Sequence, residues 1–222
     1  MSLHHRILMK VTSRERPYKL RQCVEEYRKF AENTELMSWV FTFDEDDYQV
    51  NEKHYFEVWS SVGLPVSVNL HERTNKITAI NSDVPETDWD ILLNISDDQL
   101  PIERGYDNRI REAMPDHLNA SLWFFDGWQR RINTQEIVGY NFYKRFGNIY
   151  PPYYKSFFCD NETTDRAGKD LIRINKCIIK HFHPGWDASL RGVTDDLYKA
   201  NDKYWDEDKQ TYFKRKAQNF GL

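Results

Sequence analysis

Through the first hundred positions, strand-length apolar runs alternate with segments whose apolar residues recur at helical spacing. Ile7-Leu8-Met9-Lys10-Val11 predicts a buried strand, closed by the polar run Thr12-Ser13-Arg14-Glu15-Arg16. Pro17 suits the first turn of a helix, where its missing N–H costs nothing. Leu20, Cys23, Val24, Tyr27, Phe30 and Ala31 then follow at spacings of three and four, one stripe of an amphipathic helix. Met37 to Phe43 predicts a second strand, ending in Asp44-Glu45-Asp46-Asp47. Tyr55, Phe56, Trp59 and Val62 mark a second helix, stopped by Gly63 and Pro65. Pro65 to Leu70 reads as a third strand and Ile91 to Ile95 as a fourth. Strand–helix alternation of this kind predicts an α/β protein with a central, mostly parallel sheet covered on both faces by helices.

After residue 100 the regularity fades. Tyr106 to Met114 predicts a helix, Leu122 to Phe125 a strand, and Thr134 to Tyr140 another strand running into Phe142–Phe146 and a turn at Gly147. A helix is expected to start near Glu162, and Leu171–Ile174 and Cys177–Lys180 read as short strands. The tail from Asp195 to Phe220 is charged, with aromatic residues at helical spacing. It reads either as a lid or acceptor platform, or as a solvated helix packing its aromatic stripe on the sheet. No Gly/Ser/Pro-rich linker and no internal repeat divides the chain. We expect one domain over residues 1–222, with a nucleotide-binding first half (1–100) and an elaborated second half (101–222).

Composition narrows the class. The 222 residues carry 31 Lys plus Arg against 35 Asp plus Glu, a net charge of −4, which excludes a globally basic nucleic-acid footprint. No apolar stretch has the length of a membrane span. The charged N-terminus lacks the apolar core of a signal peptide, and Cys23, Cys159 and Cys177 are too scattered for a disulfide framework or zinc cage. A cytoplasmic protein is the expectation. Seven Trp, 13 Tyr and 13 Phe read first as a core of large side chains, with sugar rings stacked on aromatic faces as the alternative.

In an open α/β sheet, ligands bind beyond the carboxyl ends of the strands. Three such ends carry polar or acidic clusters: Thr12-Ser13-Arg14, Asp44-Glu45-Asp46 and Ser96-Asp97-Asp98. The third follows an apolar strand and brings two adjacent carboxylates to the rim of the sheet. A divalent cation holding a diphosphate fits there, because Mg²⁺-like ions take one or two carboxylates plus substrate phosphates. A solvated acidic loop is the structural alternative.

These segments carry a resemblance. Strand 1 followed by Thr12-Ser13-Arg14-x-Arg16-Pro17, Asp44 at the end of strand 2, and Arg73-x-Asn75-Lys76-Ile77-x-Ala79-Ile80-Asn81 resemble nucleotide-sugar glycosyltransferases of the GT-A (Rossmann-like) fold. Ser96-Asp97-Asp98 resembles their DxD motif. Phe146-Gly147, Tyr150-Pro151, Cys159-Asp160-Asn161-Glu162 and His181-x-His183-Pro184 resemble a group of family 2-like members common in phage and environmental genomes.

The resemblance implies that Thr12, Arg14 and Asp44 contact the nucleoside, with Asp44 accepting from uracil if the donor is a UDP-sugar. Asn75, Lys76 and Asn81 would shape the wall around the base. Asp97 would meet the ribose or a metal-bound water, Asp98 would bind Mn²⁺ or Mg²⁺ directly, and His183 would be a further ligand. His181 and His183 face opposite ways on an extended segment, so only one of them can serve. The implied reaction is transfer of a sugar to an acceptor hydroxyl, with inversion, which needs a general base. Asp160 and Glu162 are the candidates, Asp160 ahead; helix-capping chemistry is the alternative for both. Trp123, Phe125, Asp126 and Trp128 either form an acceptor wall or, for the first two, belong to the core. The acceptor would be a glycan or a modified DNA base. Two other functions stay open: a nucleotidyltransferase, though Thr12 to Arg16 lacks the usual glycine-rich phosphate loop, and a non-catalytic carbohydrate- or nucleic-acid-binding module.

Overall fold

The apolar run that opens the chain forms the middle of a sheet. In a computed structural model, which describes residues 4–47, 66–183 and 196–222 (without the side chains of 197 and 198), β1 spans Ile7–Thr12. It lies between β2 (Met37–Asp44) and β4 (Ile91–Ile95), parallel to both, and β3 (Val66–His71) adds to β2, again parallel. Central parallel strands are buried on both faces, which is why β1 and β4 read as unbroken apolar runs rather than alternating ones. Ile7, Met9 and Val11 face one core with Phe41, Leu93 and the α1 (Pro17–Phe30) stripe of Leu20, Cys23, Val24 and Tyr27. Leu8, with Val40 and Leu92, faces the other core, covered by Ile77 and Ile80 of α2 (Lys76–Asn81). The helix expected around Tyr55 to Val62, and Pro65 before β3, lie outside the described residues.

Beyond β4 one strand reverses direction. Its full order is β3-β2-β1-β4-β7-β6-β8, with β7 (Ile137–Gly139) antiparallel to both β4 and β6 (Ser121–Phe124), and β8 (Leu171–Ile174) parallel to β6. The mostly parallel sheet expected from the sequence therefore forms, with β7 the one strand of these seven that runs against the others. Of the segment expected to be a strand from Thr134 to Tyr140, only the middle pairs: α4 (Tyr140–Phe146) begins directly after Gly139. A Cβ at Gly139 would lie 2.3 Å from the Leu118 carbonyl oxygen, so the strand-to-helix corner admits only glycine.

The remaining helices are α3 (Tyr106–Ala113), α5 (Cys159–Ala167), α6 (Asp196–Asp202) and α7 (Trp205–Ala217). A small ribbon matters most for the site. β5 (Gln99–Pro101) pairs antiparallel with β9 (Ile179–His181), Gln99 opposite His181. This pairing carries the histidine segment to the Asp97-Asp98 turn.

Lys10, in the middle of β1, is fully buried. Its ammonium donates to Thr42 Oγ1 and, at 3.2 Å, to the Ala79 carbonyl. Burial pulls its pKa from 10.5 down to about 7, with Asp83 opposing the shift. The unfolded chain therefore binds more protons between the two values, and stability is expected to rise with pH from about 7 to about 10. Lys10→Met should flatten that rise, read as Tm at pH 7 against pH 9.5.

Candidate active site

The C-terminal ends of β1, β2 and β4 open into a cavity of about 950 Å³, closed from the far side by the β5–β9 ribbon, the start of α5 and the α6–α7 turn. Of the residues expected from sequence, Thr12, Arg14, Asp44, Asn75, Lys76, Asp97, Asp98, Asp160 and His183 line it.

At the sheet rim, Arg14 spans Asp44 (2.7 Å) and Asp46 (2.6 Å) and is held firmly in its charged form by both. The other oxygen of Asp44 accepts from the Thr74 N–H at 3.4 Å. Asn75 caps α2, its side chain accepting from the Thr78 N–H at 3.0 Å, and this places Lys76 on the cavity wall. Asp97 accepts from Ser13 Oγ at 2.8 Å and from Arg16 at 2.9 Å. Burial pushes its carboxyl pKa up, with Arg16 pulling the other way. Arg16 was legible only as part of the polar run after strand 1; its partner lies 81 residues downstream.

Asp98 anchors the ribbon through its backbone, its carbonyl accepting from the Phe182 N–H at 2.7 Å. Its carboxylate lies 3.4 Å from His181 Nε2, while His181 Nδ1 lies 3.8 Å from Asp126. Burial opposes charge on His181, but hydrogen bonding to Asp126 and Asp98 outweighs it and brings the pKa up to about 9. The His183 ring stands edge-on to that of His181, 5.4 Å away, and burial lowers its pKa. Asp126 also accepts from the Trp128 and Gln129 N–H groups and from Thr134 Oγ1, so it organises a loop and lines no part of the cavity. Trp123, Phe125 and Trp128, considered above for an acceptor wall, do not line it either, and Trp123 is buried.

The opposite wall is built from residues 156–161 and 200–205. Helix α5 starts three residues earlier than expected, and Asp160 sits in its first turn. The cap position is Phe158 in a left-handed conformation (φ 59°), so Asp160 is not the N-cap that the sequence allowed. Burial raises the Asp160 pKa, offset in part by the Asn161 N–H and Lys76. Positive φ at a bulky residue persists only where the surroundings hold it. Here α7 does so. Asp208, itself fully buried, accepts from the N–H groups of Lys155 (3.0 Å), Ser156 (2.9 Å) and Phe157 (2.8 Å). Tyr212 stacks on Phe158 with ring centroids 5.8 Å apart.

Two expected site residues lie elsewhere. Glu162 is fully buried outside the cavity lining and accepts two hydrogen bonds from Arg215, each at 2.7 Å, and one from Tyr154 at 2.6 Å. A carboxylate so paired cannot receive a proton from a substrate in the cavity. Asn81 also lies outside the lining, accepting from the Ile149 and Tyr150 N–H groups and donating to the Tyr150 carbonyl. It joins α2 to the second half of the chain and does not face the base pocket.

No family model matches the sequence, and no curated protein matches it. Solved structures do match the fold. A mannosyltransferase from Pyrobaculum calidifontis, in complex with GDP-Man and Mn²⁺, superposes with a TM-score of 0.69 at 12% identity, covering 85% of this chain and 58% of that one. S. aureus TarS, residues 1–349, superposes with a TM-score of 0.64 at 12% identity, covering 81% of this chain and 61% of that one. The same TarS fragment with UDP-GlcNAc gives 0.62, covering 79% and 58%. The fold is that of GT-A glycosyltransferases, in a chain spanning about three-fifths of the length of these structures.

Proposed function

We propose that the protein is a metal-dependent glycosyltransferase that moves a sugar from a nucleotide-sugar donor to an acceptor hydroxyl with inversion. One observation carries this reading: the ends of β1, β2 and β4 and the start of α5 converge on one cavity, cationic and acidic groups on one wall and Asp160 on the other. The neighbours' ligands, GDP-Man with Mn²⁺ and UDP-GlcNAc, support a nucleotide-sugar donor. Thr12, Arg14 and Asp44 would seat the nucleoside, with Asn75 and Lys76 beside it and Asp97 on the ribose.

No helix among the described residues is long and apolar enough to cross a membrane, and no group of three or more His, Cys, Asp or Glu side chains among them is arranged to hold a metal. The residues present nevertheless fit Mn²⁺ or Mg²⁺. Asp98 and His183 both face the cavity, and such ions commonly complete their shell with substrate phosphates and water. A bound ion would neutralise the departing diphosphate as a Lewis acid. This chain's own residues do the rest. Asp160 takes the acceptor hydroxyl proton as the oxygen bonds to the anomeric carbon, and the bond from that carbon to the diphosphate breaks with its electron pair leaving on phosphate.

Calorimetry with UDP and GDP, each with and without Mn²⁺, tests the reading. Metal-dependent binding of one nucleotide is expected, and no binding of either would remove it. The alternatives part from it in the same experiment: a nucleotidyltransferase would bind nucleoside triphosphates in preference to diphosphates, and a carbohydrate module would bind none of them.

A further inference from the structure

Trp205, the first residue of α7, is 49% exposed although it lines the cavity. Its ring is fixed from behind by Phe157, nearly perpendicular at 5.1 Å, and by Phe158, tilted at 5.0 Å. A single exposed aromatic residue is ordinary on a protein surface; this one differs in lining the cavity with two other rings braced against it. Asn201 and Asp202, also on the cavity, set an amide and a carboxylate next to it. An aromatic plane flanked by such groups matches a sugar ring, whose C–H face stacks while its hydroxyls hydrogen-bond. Phe158 lies two residues before Asp160, so the same strained turn positions the platform and the carboxylate.

Charge selects among acceptors. The sheet-side wall carries Arg14, Arg16, Arg73 and Lys76 against Asp44, Asp97 and Asp98, an excess of one cation. The α5–α7 wall carries Asp160 and Asp202 against Lys203, and the cationic His181 of the ribbon acts on Asp160, so no excess of cations is left there. The second wall, where the acceptor would enter, has no surplus cation to hold a polyphosphate strand.

Building on the transferase reading above, we infer that Trp205 is the stacking platform of an acceptor subsite for an uncharged glycan, with Asn201 and Asp202 reading its hydroxyls. Saturation-transfer NMR, with UDP and Mg²⁺ present, tests this with maltotetraose, cellotetraose and chitotetraose as probes and a dT10 oligonucleotide as the polyanion. At least one tetrasaccharide should take up saturation on its ring C–H protons. Trp205→Ala should weaken that binding about tenfold, the worth of a good aromatic contact, and Trp205→Phe should restore most of it. Trp205→Leu keeps apolar volume against Phe157 and Phe158 but removes the flat face, so it should weaken the saccharide about as much as Trp205→Ala while UDP affinity, read by calorimetry, stays at the wild-type value. No response from any tetrasaccharide, equal binding by Trp205→Ala, or Trp205-dependent binding of dT10 in preference to sugar would each overturn the inference. UDP binding without any saccharide response removes this subsite and leaves the transferase reading; saccharide binding through Trp205 without nucleotide binding does the reverse.

Discussion

Asp98→Asn is expected to reduce sugar transfer by about a thousandfold or more while leaving the fold intact. A divalent ion on the leaving diphosphate supplies several kcal/mol of stabilisation to the transition state, and each 1.4 kcal/mol is tenfold in rate. An amide brings no charge to such an ion. The fold should survive, because the Phe182 N–H to Asp98 carbonyl contact that anchors β9 does not involve the side chain, and an amide oxygen can still face His181 Nε2. Asp97→Asn should cost less, since the amide oxygen can still accept from Arg16 while its NH2 donates to Ser13 Oγ. The measurement is initial rate against Mn²⁺ concentration, with Mn²⁺ affinity in the presence of UDP read separately by calorimetry. Full activity of Asp98→Asn at saturating Mn²⁺ would remove the metal assignment, and a larger loss at Asp97 would exchange the two roles.

Asp160→Asn should slow transfer at least about a hundredfold, the low end of what losing a general base costs. Its melting temperature and its affinity for UDP with Mn²⁺ should stay near wild type, because the donor is held by the opposite wall. The pH profile gives a second handle. Burial raises the Asp160 pKa, so the carboxylate is protonated, and useless as a base, at a higher pH than an ordinary aspartate. Transfer should therefore fall on the acid side through that raised pKa, and the limb should vanish in Asp160→Asn. Wild-type rates in this variant would leave the cavity without a base from α5, since Glu162 is committed to Arg215.

Much of this was readable along the chain. β1, α1, β2 and β4 declare themselves because a central parallel strand and a helix packed on it produce long local patterns, and the polar residues closing each strand point to the rim where ligands sit. What escaped was set by contacts between distant segments. Helix α2 has only six residues and two buried ones, too few for a period. The β5 strand has three residues and only its pairing with β9 makes it a strand; β9 itself was expected at Cys177–Lys180 and pairs over Ile179–His181. Glu162 was offered as a base beside Asp160 because both carboxylates look alike in sequence. On a helix, residues two apart point to nearly opposite sides. One faces the cavity; the other meets Arg215, 53 residues further on. Trp205 gave no clue to its exposure, since aromatic residues at helical spacing look the same whether packed or open.

Asp97 is gripped by Ser13 and Arg16 across 84 and 81 residues of chain. Closing loops of that length has to precede the reward of the contact, and parallel pairing of β1 with β4 imposes the same order. The sheet side of the cavity consequently has no existence as a local fragment; it forms when the sheet forms. Occupancy of that site is then coupled to the population of the whole folded domain rather than to the posture of a loop. A nucleotide bound there at a hundred times its Kd would add about 2.7 kcal/mol to global stability. Such a ligand would act on yield, shelf life and resistance to proteolysis as well as on turnover.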